Sequence, residues 1–216
     1  MPNPVDFNLY LITDRHQVPV GRTLTATVEA ALRGGVRAVQ LREKDLGAAE
    51  LLPLAMELRD LTRRFAARLL INDRIDVALA VDADGVHLGG HSLPVTVARR
   101  LLGAEKLIGV STHRPGEIAL ATAAGADFVT FGPVFTTPSK AGFGPPLGVA
   151  ALRAACTAGQ LPVFALGGIK ANHLPELTGS GAHGIAVISA IIATPDPRAA
   201  AGAFVGKLPS AFTGQM

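Results

Sequence analysis

The sequence predicts an α/β fold, a single-domain (β/α)8 TIM barrel, and three observations carry that reading. Short apolar runs alternate with longer Ala- and Leu-rich segments along the 216 residues, the signature of strands each followed by a helix. The runs are near-continuous in their apolar character, as in parallel strands buried on both faces. Four of them, in GGVRAVQ, DADGVHLG, AGADFVTFG and SGAHGIAVI, are entered through a similar small-residue turn, where Gly ends one helix and the chain reverses into the next strand. A doubly wound open sheet is the alternative, but it would normally use fewer strands, and no GxGxxG follows the first one.

In order, the expected strands are FNLYLIT, RAVQLRE, RLLIND, GVHLG, LIGVST, FVTFGPV, PVFALGG and GIAVISA. Helix candidates between them include TLTATVEAALRGG, AAELLPLAMELRDLTRRFA, IDVALAVDA, LPVTVARRLLG and RPGEIALATAAGA. Thr136 to Gly148, TTPSKAGFGPPLG, holds three Gly and three Pro. A loop this long inside a compact domain usually serves function. No linker divides residues 1–216, and the final PSAFTGQM reads as a tail.

Composition narrows the function. Hydrophobic residues make up 49% and charged residues 17%, with mean hydropathy +0.36, yet no apolar stretch approaches the ~20 residues of a membrane span. Net charge is +3, from 20 basic and 17 acidic residues, with one Tyr and no Trp. Scattered cations and few aromatics speak against a nucleic-acid partner. Cys156 is the single cysteine, which excludes an internal disulfide or Cys-rich metal site; its helical segment VAALRAACTAG suggests a buried thiol. The N-terminus lacks a basic region followed by an apolar one, so a cytoplasmic protein with no membrane partner is expected. The oligomeric state, including a homo-oligomer, is left open.

In a (β/α)8 barrel the active site forms at the C-terminal strand ends, where this sequence places its unusual polar residues. Gln40, Arg42 and Lys44 follow one another by two at the end of strand two; period-two spacing points them the same way. Two cations and an amide there suit a phosphate or diphosphate, and the competing reading is a salt-bridged strand end through Glu43 or Asp45. Asn72 and Asp73 end strand three. An amide and a carboxylate can hold Mg2+ through oxygen together with substrate phosphates, or they can cap a helix. Gly167-Gly168 and Ile188-Ser189 end strands seven and eight, where this fold recurrently binds a phosphate monoester. Ser111 and His113 end strand five, and Thr137, Ser139 and Lys140 follow strand six, with Lys140 placed to close over an anion. His87, on strand four, reads as readily as a hydrogen-bonded core residue. Two anion sites emerge, and phosphorylated small molecules are the expected partners.

The ordered set QLREKD, INDR, GVHLGG, IGVSTH, FGPVF-TPSK, ALGGI and GIAVISAI, spanning Tyr10 to about Ala190, resembles the thiamine phosphate synthase and thiazole tautomerase superfamily. The resemblance implies that Gln40, Arg42 and Lys44 bind the diphosphate of hydroxymethylpyrimidine diphosphate, with Asn72 beside a Mg2+-binding Asp73. It implies that Ser111, Thr137, Ser139 and Lys140 contact substrate, and that Gly167, Gly168, Ile188 and Ser189 hold thiazole phosphate. Lys140, Ser111 and His113 are the expected catalytic set. At 85–94 the chain reads GVHLGGHSLP, with Gly90 and Ser92 where the synthase pattern carries Gln and a second metal-binding Asp. Ser92 is thus the second expected metal position, though a neutral hydroxyl is a poorer ligand than carboxylate. That departure and the GFGPPLG loop resemble the tautomerase branch, which isomerises a thiazole phosphate carboxylate; His113 fits the position of that branch's proposed acid–base residue, but synthases can also carry His there. Retention of Gln40, Arg42, Lys44, Asn72 and Asp73 favours the synthase, with the tautomerase as first alternative and a non-catalytic thiazole-phosphate-binding regulator as the second.

Overall fold

The computed structural model describes residues 5–137 and 144–208. Eight parallel strands close a barrel in sequence order, β8 pairing back onto β1. They are β1 (Leu9–Ile12), β2 (Ala38–Leu41), β3 (Arg68–Asn72), β4 (Gly85–Leu88), β5 (Leu107–Thr112), β6 (Phe128–Phe131), β7 (Val163–Leu166) and β8 (Gly184–Val187). A 3-10 turn, Arg15–Gln17, follows β1. The helices are α1 (Leu24–Arg33), α2 (Ala48–Arg64), α3 (Ile75–Ala80), α4 (Val95–Leu102), α5 (Pro115–Ala124), α6 (Gly148–Thr157), α7 (Leu174–Leu177), α8 (Ser189–Ile192) and α9 (Pro197–Val205).

Local chemistry accounts for the helices. In α1, Leu24, Val28, Ala31 and Leu32 are buried, a spacing that keeps one stripe on the sheet, and the Thr23 hydroxyl caps it by accepting from Ala26 N at 3.1 Å. Asp196 caps α9 through Ala199 N at 3.0 Å, and Pro197 occupies its first turn.

The core has two compartments. Outward-facing Leu11, Val39, Ile71, Val86 and Val129 join the apolar stripes of the helices. Facing inwards, Phe7, Tyr10, Leu70, Phe128 and Phe164 fill the barrel. Phe128 stands edge-on to Phe7, Tyr10 and Phe164, with centroids 5.7, 5.5 and 5.4 Å away, a favoured aromatic geometry. Gly109 makes that filling possible: a Cβ there would lie 2.4 Å from the Phe128 ring and 2.6 Å from His87 Nδ1.

The recurring turn has a structural counterpart at the N-terminal ends of the strands. Asp84 accepts from Leu69 N at 2.7 Å and pairs with Arg59. Asp127, at the equivalent place before β6, accepts from Ile108 N at 2.6 Å and pairs with Arg99 at 2.5 Å. Before β8 the position is His183, whose Nε2 bonds Phe7 O at 3.1 Å. These ties hold the end of the barrel opposite the polar strand ends.

Two expectations change. β7 stops at Leu166 and β8 at Val187, so Gly167, Gly168, Ile188 and Ser189 do not extend their strands; Ile188 precedes and Ser189 opens the short helix α8. Cys156 lies on α6 but is only half-buried; partial burial still pushes its thiol up to about 11. The expected tail, 209–216, lies outside the described residues.

Candidate active site

Strand β2 sends Gln40 into the barrel, where it is 1% exposed and its Nε2 donates to the Tyr10 hydroxyl at 2.9 Å. The strand ends at Leu41, so Arg42 and Lys44 lie beyond it, and the period-two projection covers Gln40 alone. Arg42 is half-buried and Lys44 exposed. The neighbouring acids are engaged with Arg15. Glu43, 5% exposed, accepts from Thr13 Oγ1 at 2.6 Å, from Arg15 N at 3.0 Å and from Arg15 Nη1 at 3.2 Å. Asp45 takes both Arg15 terminal nitrogens, at 2.6 and 2.5 Å, and that guanidinium holds its carboxyl well below the usual range. The salt-bridged strand end through Glu43 and Asp45 therefore exists, and Arg15 takes part in it.

Asn72 closes β3, and Asp73 follows in the left-handed region with φ +66°, its N–H donating to His87 O at 2.9 Å. Neither residue caps α3, whose N-cap is Arg74 without a side-chain bond. Arg74 pairs with Asp76 at 2.5 Å, leaving the exposed Asp73 side chain at the strand end.

At the centre, His87 is 3% exposed. Its Nε2 lies 3.0 Å from Ser111 Oγ and 3.5 Å from Thr130 Oγ1. Burial, then the nearby Arg42 charge, push its pKa down to about 3, so the ring is neutral. It is a hydrogen-bonded core histidine that also touches Ser111, a candidate site residue. His113, just past β5, places Nδ1 2.5 Å from Gly132 O; a carbonyl only accepts, so Nδ1 carries the proton. Its backbone N–H donates to Glu117 Oε2 at 2.7 Å, at the start of α5.

The β6 and β7 ends are joined through Val134 N to Leu166 O at 2.8 Å and Phe135 N to Gly167 O at 3.0 Å. That approach requires glycine. Gly167 and Gly168 have φ +97° and +66°, and Cβ atoms there would sit 2.6 Å from Pro133 Cα and 2.4 Å from Thr136 O. A cavity of ≈ 460 Å3 opens beside them, lined by Thr136, Thr137, Gly168, Lys170, Ser189 and Phe204 among others. A second, of ≈ 290 Å3, is lined by Asp14, His16, Arg42, Glu43, Lys44 and Asp45. The first gathers residues that follow β6, β7 and β8 with part of α9, and the second gathers residues that follow β1 and β2, its two β2-end cations beside Asp14, Glu43 and Asp45. Ser92 lies in the turn after β4, its Oγ accepting from Gly89 N at 2.7 Å. Ser139 and Lys140 lie outside the described residues.

Several residues of the site escape a reading of the sequence. Arg15 and Thr13 hold the β2 end, and Tyr10 and Thr130 lie beside Gln40 and His87 in the barrel interior. The inward alternation of LYLI and FVTF marks Tyr10 and Thr130; nothing local marks Arg15 as the partner of Glu43.

Comparison with known proteins agrees with this architecture. Residues 9–191 match the thiamine monophosphate synthase family. The chain is 62% identical over 205 residues to a Geobacter sulfurreducens protein, covering 95% of this chain and 96% of that one. It is 46% identical over 197 residues to the thiamine-phosphate synthase of Chloroflexus aurantiacus, covering 91% and 90%. Among solved structures, thiamine phosphate pyrophosphorylase from Pyrococcus furiosus superposes with TM-score 0.85 at 36% identity, over 95% of this chain and 96% of that one. A match over most of the chain, reached by relatives of nearly equal length and by the same barrel, leaves one conclusion: the chain belongs to the thiamine monophosphate synthase family.

Proposed function

We propose that the protein joins hydroxymethylpyrimidine diphosphate to thiazole phosphate, releasing thiamine phosphate and diphosphate. The observation that carries this reading is the pair of pockets at the C-terminal strand ends, one bordered by Arg42 and Lys44 beside Asp14 and the Arg15-paired Glu43 and Asp45, the other by Gly168 and Ser189. Two substrates that each bring phosphate suit two such pockets.

In this reading, Arg42 and Lys44, with Gln40 beneath them, hold the diphosphate of the pyrimidine substrate and stabilise the charge that grows as it departs. Gly167, Gly168, Thr137, Ile188 and Ser189 hold the thiazole phosphate, using backbone N–H groups at the start of α8. Ser111 orients the pyrimidine. The bond between the pyrimidine methylene and the diphosphate oxygen breaks with its electron pair leaving on diphosphate. The thiazole nitrogen lone pair then forms the new carbon–nitrogen bond. No proton need be transferred to the reacting carbon, so alignment and charge stabilisation are the main tasks of these side chains. Ser139 and Lys140 are assigned to the same site by family resemblance.

The residues fit Mg2+ arriving with substrate. No group of three His, Cys, Asp or Glu able to hold a metal occurs among the described residues, whereas Mg2+ commonly uses one or two carboxylates plus phosphate oxygens and water. Asp73 offers such a carboxylate, with Asn72 beside it and a remaining lone pair on the Ser92 hydroxyl. Bound there, Mg2+ would supply neutralisation of the diphosphate charge. Among the described residues no helix is long and apolar enough to cross a membrane, and we place the reaction in the cytoplasm.

The test is synthesis by the purified protein. Thiamine phosphate and diphosphate should form in equal amounts only when both substrates are present. Diphosphate released at the same rate without thiazole phosphate would sink the reading.

A further inference from the structure

His87 does more than fill the barrel. It is 3% exposed, and its ring lies 5.8 Å from both the Tyr10 and Phe128 rings, tilted to each. Gly109 leaves room for it, since any Cβ there would press on Nδ1. The ring is therefore fixed, and its two nitrogens face different surroundings. Nε2 faces the hydroxyls of Ser111 at 3.0 Å and Thr130 at 3.5 Å. Nδ1 is buried and has no hydrogen-bond partner among the described residues.

A neutral imidazole carries one proton, and the surroundings select where it sits. With the proton on Nδ1, an N–H donor would be buried against aromatic carbon with nothing to receive it, a loss of roughly 1–3 kcal/mol. With the proton on Nε2, the donor meets Ser111 Oγ, and only a lone pair on Nδ1 goes without a partner. Buried donors left without a partner are rarer than acceptors in that position.

From this geometry we infer that His87 is a positioning residue: as a fixed Nε2–H donor it occupies one lone pair of Ser111 and turns the Ser111 O–H toward the ligand. This rests on the proposed synthase reading, in which Ser111 meets the pyrimidine. The Ser111 O–H then meets a lone pair on the ligand, as on a ring nitrogen, while the second Ser111 lone pair stays open to a ligand N–H. Gln40 is held comparably by Tyr10, so two of the polar groups at the barrel mouth have their orientation set from the interior below them.

The direct test is the tautomer. Imidazole 15N NMR of the ligand-free wild-type protein, with the His87 signal assigned by its loss in His87→Gln, should show Nε2 protonated and Nδ1 not. The reverse assignment overturns the inference whatever the activity. Kinetics supply the second arm. His87→Phe keeps a ring in the core but removes the donor, and kcat/KM for the pyrimidine diphosphate should fall about 10-fold, the scale of one hydrogen bond. His87→Gln, which can place an amide N–H near the same point, should recover part of that loss. In a Ser111→Ala background, His87→Phe should cost little more, because its effect passes through Ser111. An equal further loss in that background would show that His87 acts by packing alone. Absence of synthase activity in the wild type would defeat the underlying reading, while the NMR result would still decide the tautomer.

Discussion

Lowering the pH should destabilise the fold through His87 before it reaches the carboxylates. Burial and the Arg42 charge push the His87 pKa from 6.5 down to about 3. The unfolded chain therefore takes up a proton near pH 6.5 that the folded protein refuses. Stability from this residue is complete above pH 6.5, is lost as pH falls, and levels off near pH 3. Below the unfolded pKa the slope approaches about 1.4 kcal/mol per pH unit, so the loss between pH 6.5 and about pH 4.5 is about 2 kcal/mol. His183 is also lowered, by burial, and adds a slope of the same sign. Asp45, Asp76 and Asp82 are lowered by Arg15, Arg74 and Lys106; what they contribute is lost only as pH falls below the ordinary carboxylate range, mostly beneath this window. Urea unfolding of wild type and His87→Gln across the window isolates the His87 share, because His183 is common to both. Wild type should lose about 2 kcal/mol more than the variant. Parallel pH curves would refute the neutral, desolvated His87.

Other perturbations separate the parts of the site. Arg42→Ala should lower kcat/KM for the pyrimidine diphosphate by about 100-fold while leaving the thiazole phosphate KM nearly unchanged, as steady-state kinetics with each substrate varied would show. Gly168→Ala combines φ +66° with a Cβ 2.4 Å from Thr136 O; it should raise the thiazole phosphate KM and cost at least about 1 kcal/mol in urea unfolding. Glu43→Ala removes the acceptor shared by Thr13 and Arg15 and should cost about 3 kcal/mol, also by urea unfolding, with weaker diphosphate-substrate binding as the β2 end loosens. Ser92→Asp adds a carboxylate to the proposed cation position, so the Mg2+ concentration for half-maximal activity should fall or stay unchanged.

The barrel was legible because its strands are short, apolar and regularly spaced, and each observed strand falls inside its expected run. The strand ends were less so. Period-two spacing placed Gln40 correctly, but β2 stops at Leu41, and alternation carries no information past the last ladder pair. GIAVISA reads as one strand because Ile188 and Ser189 continue its composition; the backbone leaves the extended region at Ile188, with ψ −88°, and that change leaves no mark in hydrophobicity. Arg15 was hidden for another reason. Its bonds to Glu43 and Asp45 join residues about 30 positions apart in the sequence, brought together only when β1 and β2 pair. The chemistry of the site drew further on family resemblance, since two cations and an amide indicate an anion but do not choose among phosphorylated substrates.

The most direct test of the central claim is a coupled assay with purified protein, both phosphorylated substrates and Mg2+. The account predicts Mg2+-dependent thiamine phosphate and equimolar diphosphate, with Asp73 sufficient in the absence of a second carboxylate at position 92. No product, together with isomerisation of thiazole carboxylate phosphate by the same preparation, would contradict it and leave Gln40, Arg42 and Lys44 in need of another ligand.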